Sequence, residues 1–81
     1  MIVTVTEKHI KEGKPYDKCE CPVSLALKDL GYTPVVDVKA AYIKKGEDEF
    51  VAPLRAEARD FVARFDRGQE VFPFSFELEV D

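Results

Sequence analysis

Eighty-one residues are enough for one folded domain and too few for two separate hydrophobic cores. The chain is 46% hydrophobic and 35% charged, which is typical of a globular domain and excludes a disordered tail. No apolar run approaches the ~20 residues of a membrane span, and the first residues lack the features of a signal peptide. We therefore expect a cytoplasmic protein with no membrane partner.

The negative charge is concentrated at the end of the chain. Residues 1–68 contain 12 Lys/Arg and 12 Asp/Glu, whereas residues 69–81 contain four acidic residues and no basic one, which accounts for the net charge of −4. This balance argues against an extended nucleic-acid-binding surface. A small anion site needs only local donors and is compatible with it.

The first half of the chain predicts a strand followed by two helices. β-Branched residues favour a strand at Ile2–Val5. Thr6 is a suitable N-cap for a short helix over Glu7–Glu12. After a polar loop, Pro22 suits the first turn of a second helix over residues 22–30.

The second half predicts two strands, a long helix and a last strand. Residues 35–43 indicate one strand, with a short return strand over 49–52, a helix over 54–67 and an alternating strand over 71–80. The order β-α-α-β-β-α-β lacks regular βαβ units. We therefore predict a single α+β domain over residues 1–81, with an antiparallel or mixed sheet and helices packed on one face.

An apolar helix stripe and an aromatic strand face are expected to form most of the core. The stripe recurs at helical spacing and comprises Leu54, Ala58, Phe61, Val62 and Phe65. The strand face alternates with polar residues and comprises Phe72, Phe74, Phe76, Leu78 and Val80. Because each buried side chain of this size contributes about 1.5–3 kcal/mol, the helix and the strand should pack on each other.

Leu25 falls on the side of the second helix that faces away from its apolar residues, between Lys28 and Asp29. We expect this side chain to be exposed. A lone exposed leucine is common, but a covering loop or a second copy in a homo-oligomer would also account for it.

The start of the second helix is the leading candidate site. Cys21 falls at the N-cap, where Ser, Thr, Asp or Asn is usual, and the N–H groups of Val23 and Ser24, backed by the helix dipole, are placed to receive an anion. Basic and aromatic residues are expected to complete a ligand-binding site there, namely Lys14, Lys18, Tyr16, His9 and Arg59. The cations would neutralise the anion, and the tyrosine would stack on a planar ring.

Metal binding and thiol catalysis are the competing interpretations of this region. Structural zinc needs four ligands, and the C-x-C spacing of Cys19 and Cys21 with a single histidine does not supply them. The same spacing strains a disulfide, so we expect reduced thiols. A nucleophilic Cys21 would need His9 as its base, and nothing in their spacing ties the two together. Since common phosphate-loop and hydrolase motifs are also absent, we predict a non-catalytic protein without a metal or cofactor.

Three groups of residues resemble a set of small, largely uncharacterised proteins encoded by bacteriophages and prophages. These groups are Thr4-Val5-Thr6 with His9-Ile10 and Gly13, Cys21-Pro22-Val23 with Ala26-Leu27, and Phe65-Asp66-x-Gly68 with Pro73-Phe74-x-Phe76-Glu77-Leu78. The pattern spans nearly the whole chain except the central hairpin and does not include Cys19. It carries no chemistry that transfers to single residues.

The resemblance implies a counter-defence role inside a host bacterium, because small phage proteins often act against host defences. We therefore expect a binding protein that sequesters a phosphorylated nucleotide-derived signal at the start of the second helix. The alternative is a protein–protein inhibitor or adaptor that acts on a host factor through the acidic last strand and the exposed Leu25.

Overall fold

Strands and helices are interspersed along the chain, as the α+β prediction requires. A computed structural model describes residues 1–79, which form β1 (Ile2–Val5), α1 (Glu7–Glu12), α2 (Pro22–Asp29), β2 (Thr33–Val36), β3 (Ala40–Lys45), β4 (Asp48–Pro53), α3 (Ala56–Asp66) and β5 (Phe74–Glu77). Strands β1 and β5 form one antiparallel pair, and β2, β3 and β4 form a second antiparallel sheet in that order. The α+β class is confirmed.

The start of α1 is built by local signals. The Thr6 hydroxyl accepts the backbone N–H of His9 at 3.4 Å, and Nδ1 of His9 accepts the backbone N–H of Thr6 at 2.9 Å. These reciprocal bonds form a capping box, in which two otherwise unpaired donors are satisfied by the neighbouring turn. The predicted cap and both ends of this helix are confirmed.

The end of α1 is packed against the start of α2. A Cβ atom added to Gly13 would lie 2.7 Å from two ring carbons of Pro22 and 2.9 Å from the carbonyl oxygen of His9. Since real Cβ contacts are not this short, glycine is required at position 13 by close approach. The two helices are therefore joined by a tight contact as well as by the intervening loop.

The prediction of one strand over residues 35–43 is wrong, because the structure divides this segment into β2 and β3. Asp37 makes the turn between them, since its Oδ1 accepts the backbone N–H groups of Lys39 at 2.7 Å and Ala40 at 3.1 Å. An aspartate that bonds the backbone two residues ahead is a recognised turn signal. In this sequence the surrounding β-branched residues masked it.

The expected packing of α3 on the last strand is confirmed. Phe61 stacks on Phe74 with 4.6 Å between ring centroids, and Phe74 stacks on Phe76 at 5.4 Å. The last strand is shorter than predicted, however, because β5 begins after Pro73, and Phe72 is 68% exposed rather than buried. Val80, the end of the predicted strand face, lies outside the described residues.

Candidate functional site

The start of α2 is sealed by the protein itself. Val23 and Ser24 are each 0% exposed, and Cys21 is 3% exposed. The preceding loop covers them: the Ser24 hydroxyl donates to the carbonyl oxygen of Lys18 at 2.6 Å, and the Cys21 N–H donates to that of Asp17 at 2.9 Å. Because a ligand has no access to either residue in this structure, the burial argues against the prediction that Val23 and Ser24 grip an anion.

The thiol of Cys21 is suited to packing and not to nucleophilic attack. Burial raises the pKa of Cys21; the Ser24 hydroxyl, 3.4 Å from Sγ, and the N–H groups of Val23 and Ser24 pull it in the opposite direction without reversing the shift. The thiolate is the reactive form of cysteine, so a raised pKa leaves a weak nucleophile at neutral pH.

His9 lies at the opposite end of α2 from Cys21. Its Nδ1 accepts the Thr6 N–H, so the ring proton is on Nε2, which donates to Oδ2 of Asp29 at 2.6 Å. Asp29 is the last residue of α2, eight residues after Cys21, a rise of about 12 Å along a helix axis. His9 thus joins α1 to α2 and belongs to neither an anion site nor a Cys–His pair at the helix start.

A cleft of about 440 Å³ opens beside the sealed helix start, between the loop over residues 14–21, the turn between β2 and β3, and the last turns of α3. Its apolar and aromatic lining residues are Tyr16, Cys21, Val36, Val38 and Val62. Its charged lining residues are Asp17, Lys18, Asp37, Lys39 and Asp66. Cys21 forms part of this cleft, so the cleft and the helix start are neighbours that share one side chain.

One wall of the cleft holds a carboxylate with lysines nearby. The backbone N–H groups of Lys39 and Ala40 hold the pKa of the Asp37 carboxyl below its ordinary value, and the nearby ammonium groups of Lys18 and Lys39 lower it further. Asp37 is therefore ionised at neutral pH, and the two lysines are near enough to act on its charge.

The other wall joins the loop to α3. The backbone N–H of Tyr16 donates to Oδ1 of Asp66 at 2.8 Å, and Tyr16 has a positive φ of 57°, a backbone conformation that aromatic residues rarely adopt. The Tyr16 side chain is 76% exposed at the rim. The hydrogen bond to Asp66 thus holds an aromatic ring beside the mouth of the cleft.

The structure brings together some of the predicted site residues and separates others. Tyr16, Lys18 and Cys21 line the cleft. The other predicted residues lie outside its lining, namely Val23, Ser24, Lys14, His9 and Arg59. Sequence reasoning missed Asp37 and Asp66: the first carried a local turn signal, but the second lines the cleft only because the loop folds back on the end of α3.

Neither a metal centre nor a membrane-spanning helix is found within residues 1–79. No group of three or more His, Cys, Asp or Glu side chains in that range is arranged to hold a metal ion. None of the helices described there has the length and apolar character to cross a bilayer.

No protein-family model, curated protein or solved structure matches this chain. The fold and the cleft define an α+β domain with a ligand-sized cleft lined by apolar and charged side chains, and its function is inferred from that geometry.

Proposed function

We propose that this protein is a non-catalytic binding module that holds one small organic molecule in the cleft. The observation that carries the proposal is the combination of volume and lining: about 440 Å³, with apolar side chains interrupted by a few charged groups. Small-molecule sites are typically concave, about 300–1,000 Å³, and lined in this way.

The chemistry of the cleft supports binding in preference to catalysis. Its thiol has a raised pKa, and the histidine that would serve as a base is engaged with Asp29 at the far end of α2. Nucleophilic catalysis needs a nucleophile and a base within hydrogen-bond reach, and these two groups do not meet.

The biological role remains the one that the sequence resemblance implies: sequestration of a small signal of host defence by a phage-type protein. A nucleotide would find Tyr16 available for stacking and Lys18 available for its phosphate in the cleft. It would not find the backbone donors of α2, because those are buried.

The proposal is tested by calorimetric titration with four probes: AMP, phenethylamine, phenethyl alcohol and hydrocinnamate. We expect at least one to bind at millimolar concentration or tighter, and Val38→Trp, which fills the cleft, to abolish that binding. Val35→Trp is the matched control, because Val35 is 40% exposed, Val38 is 45% exposed, and Val35 lies outside the lining of the cleft. Binding of no probe, or equal binding by Val38→Trp, would overturn the proposal.

A protein partner is a second candidate, favoured by one surface feature. Val35, Tyr42 and Val51 are aligned by strand register across β2, β3 and β4, and are 40%, 46% and 66% exposed. We call these three side chains the outer-face row. They offer a larger exposed apolar surface than Leu25, which was expected to be exposed but is half-buried. In the acidic last strand, Glu77 is exposed, whereas Glu79 after it is paired with Arg55 at 2.9 Å.

The partner hypothesis predicts that a host protein recovered from bacterial lysate by the wild-type chain is lost with Tyr42→Glu and retained with Lys44→Glu on the same strand. Recovery of the same protein by Tyr42→Glu would contradict a role for the row.

A further inference from the structure

We propose that the cleft selects a small organic cation, an ammonium or guanidinium group carried on an apolar body. This inference rests on the proposed binding function, and it assigns the cleft a cation in place of the phosphorylated nucleotide that the sequence resemblance implies.

Asp66 is an anion without a full set of compensating partners. It is the last residue of α3, where the helix dipole is negative and a cation would normally be favoured. Its Oδ1 accepts one backbone N–H, that of Tyr16, and the ion pairs within residues 1–79 are made by other carboxylates. The negative charge of Asp66 also reaches the cleft, since it adds a small contribution to the raised pKa of Cys21.

The two lysines of the cleft do not cancel this charge. Lys18 and Lys39 both act on Asp37, on the wall formed by the turn between β2 and β3. Asp17, in the loop before α2, has Oδ1 committed to the N–H groups of Cys19 and Glu20. The lining therefore carries three carboxylates and two ammonium groups, a net charge of −1, and a cation near Asp66 lowers the electrostatic energy.

The remaining surfaces specify what else the ligand carries. Val36, Val38 and Val62 offer apolar contact over most of the cavity, so a bare metal ion or ammonia would leave that surface unfilled. The ring of Tyr16 is exposed at the rim, where a cation–π contact would add to the attraction of Asp66. A ligand with an apolar body in the valine-lined part and a positive group between Tyr16 and Asp66 would contact both surfaces.

Three of the probes isolate the charge, because phenethylamine, phenethyl alcohol and hydrocinnamate share a phenyl ring and differ chiefly in being cationic, neutral and anionic. We expect phenethylamine to bind the wild-type protein about tenfold more tightly than phenethyl alcohol, the scale of a hydrogen bond to a charged group, and hydrocinnamate to bind most weakly. Added salt should weaken only the binding of phenethylamine.

Asp66→Asn tests whether the charge of Asp66 selects the cation. The amide oxygen of the variant still accepts the Tyr16 N–H, but the negative charge is removed. The variant should bind phenethylamine and phenethyl alcohol equally, whereas the control Asp60→Asn, on the exposed side of α3, should keep the wild-type preference. Tighter binding of hydrocinnamate or AMP than of phenethylamine, or an unchanged preference in Asp66→Asn, would overturn the cation assignment while leaving the binding function intact. Failure of all four probes would instead remove the proposed function itself.

Discussion

The starts of α1 and α2 differ in how their first backbone N–H groups are withdrawn from solvent. At α1 the unpaired donors are satisfied within one turn by the capping box of Thr6 and His9. At α2 the N-cap side chain of Cys21 makes no cap hydrogen bond, and a loop folds over the helix start and buries it. The comparison teaches that an unusual N-cap need not mark an open site: here it marks a covered helix end, and the cavity lies next to it.

The largest expected effect comes from the contact that joins the two helices. Gly13→Ala should lower the free energy of unfolding by about 2–3 kcal/mol, because the added Cβ would meet the Pro22 ring at 2.7 Å and overpacking has a cost on this scale. Chemical denaturation measures it. The double variant Gly13→Ala/Pro22→Ala should recover part of the loss; if the two losses simply add, the start of α2 does not depend on this contact.

A pair of hydroxyl deletions compares the two helix starts directly. Ser24→Ala removes a buried hydrogen bond to the Lys18 carbonyl, which keeps the Val36 N–H as a donor at 2.8 Å, and should cost about 1.5 kcal/mol, the upper end for a single hydrogen bond. Thr6→Ala removes an exposed cap and should cost about 1 kcal/mol. Denaturation experiments measure both losses, and a smaller loss for Ser24→Ala than for Thr6→Ala would contradict the view that the bond to the loop holds the α2 start.

These two helix starts also show where sequence reasoning succeeded. Thr6 and the ends of α1 were predictable because a capping box is a signal contained in four residues. The position of α2 followed from Pro22 in the same way, but its covering did not, since the hydrogen bond from Ser24 to Lys18 depends on how the loop returns. Likewise, nothing in the sequence around Asp66 indicates a site, because its hydrogen bond to the Tyr16 N–H depends on the path of the loop.

The smallest expected effect is a pH dependence at the α2 start. Burial raises the pKa of the folded Cys21 thiol above its ordinary value of 9.0, so this group stabilises the fold below that pH. The contribution is lost as pH rises through the raised pKa, because the unfolded chain ionises first. Cys21→Ala should flatten the alkaline fall in unfolding free energy, whereas Cys19→Ala, which changes an exposed thiol, should retain it. An identical alkaline fall in both variants would show that another group causes it.

An NMR titration of isotopically labelled protein with phenethylamine distinguishes entry into the cleft from entry at the start of α2. If the ligand enters the cleft, backbone amide signals of Tyr16, Val38, Lys39 and Asp66 should shift together with one dissociation constant, while those of Val23 and Ser24 should move far less. A saturable response centred on Val23 and Ser24, with the Val38 and Asp66 signals unmoved, would contradict it and restore the helix start as the site.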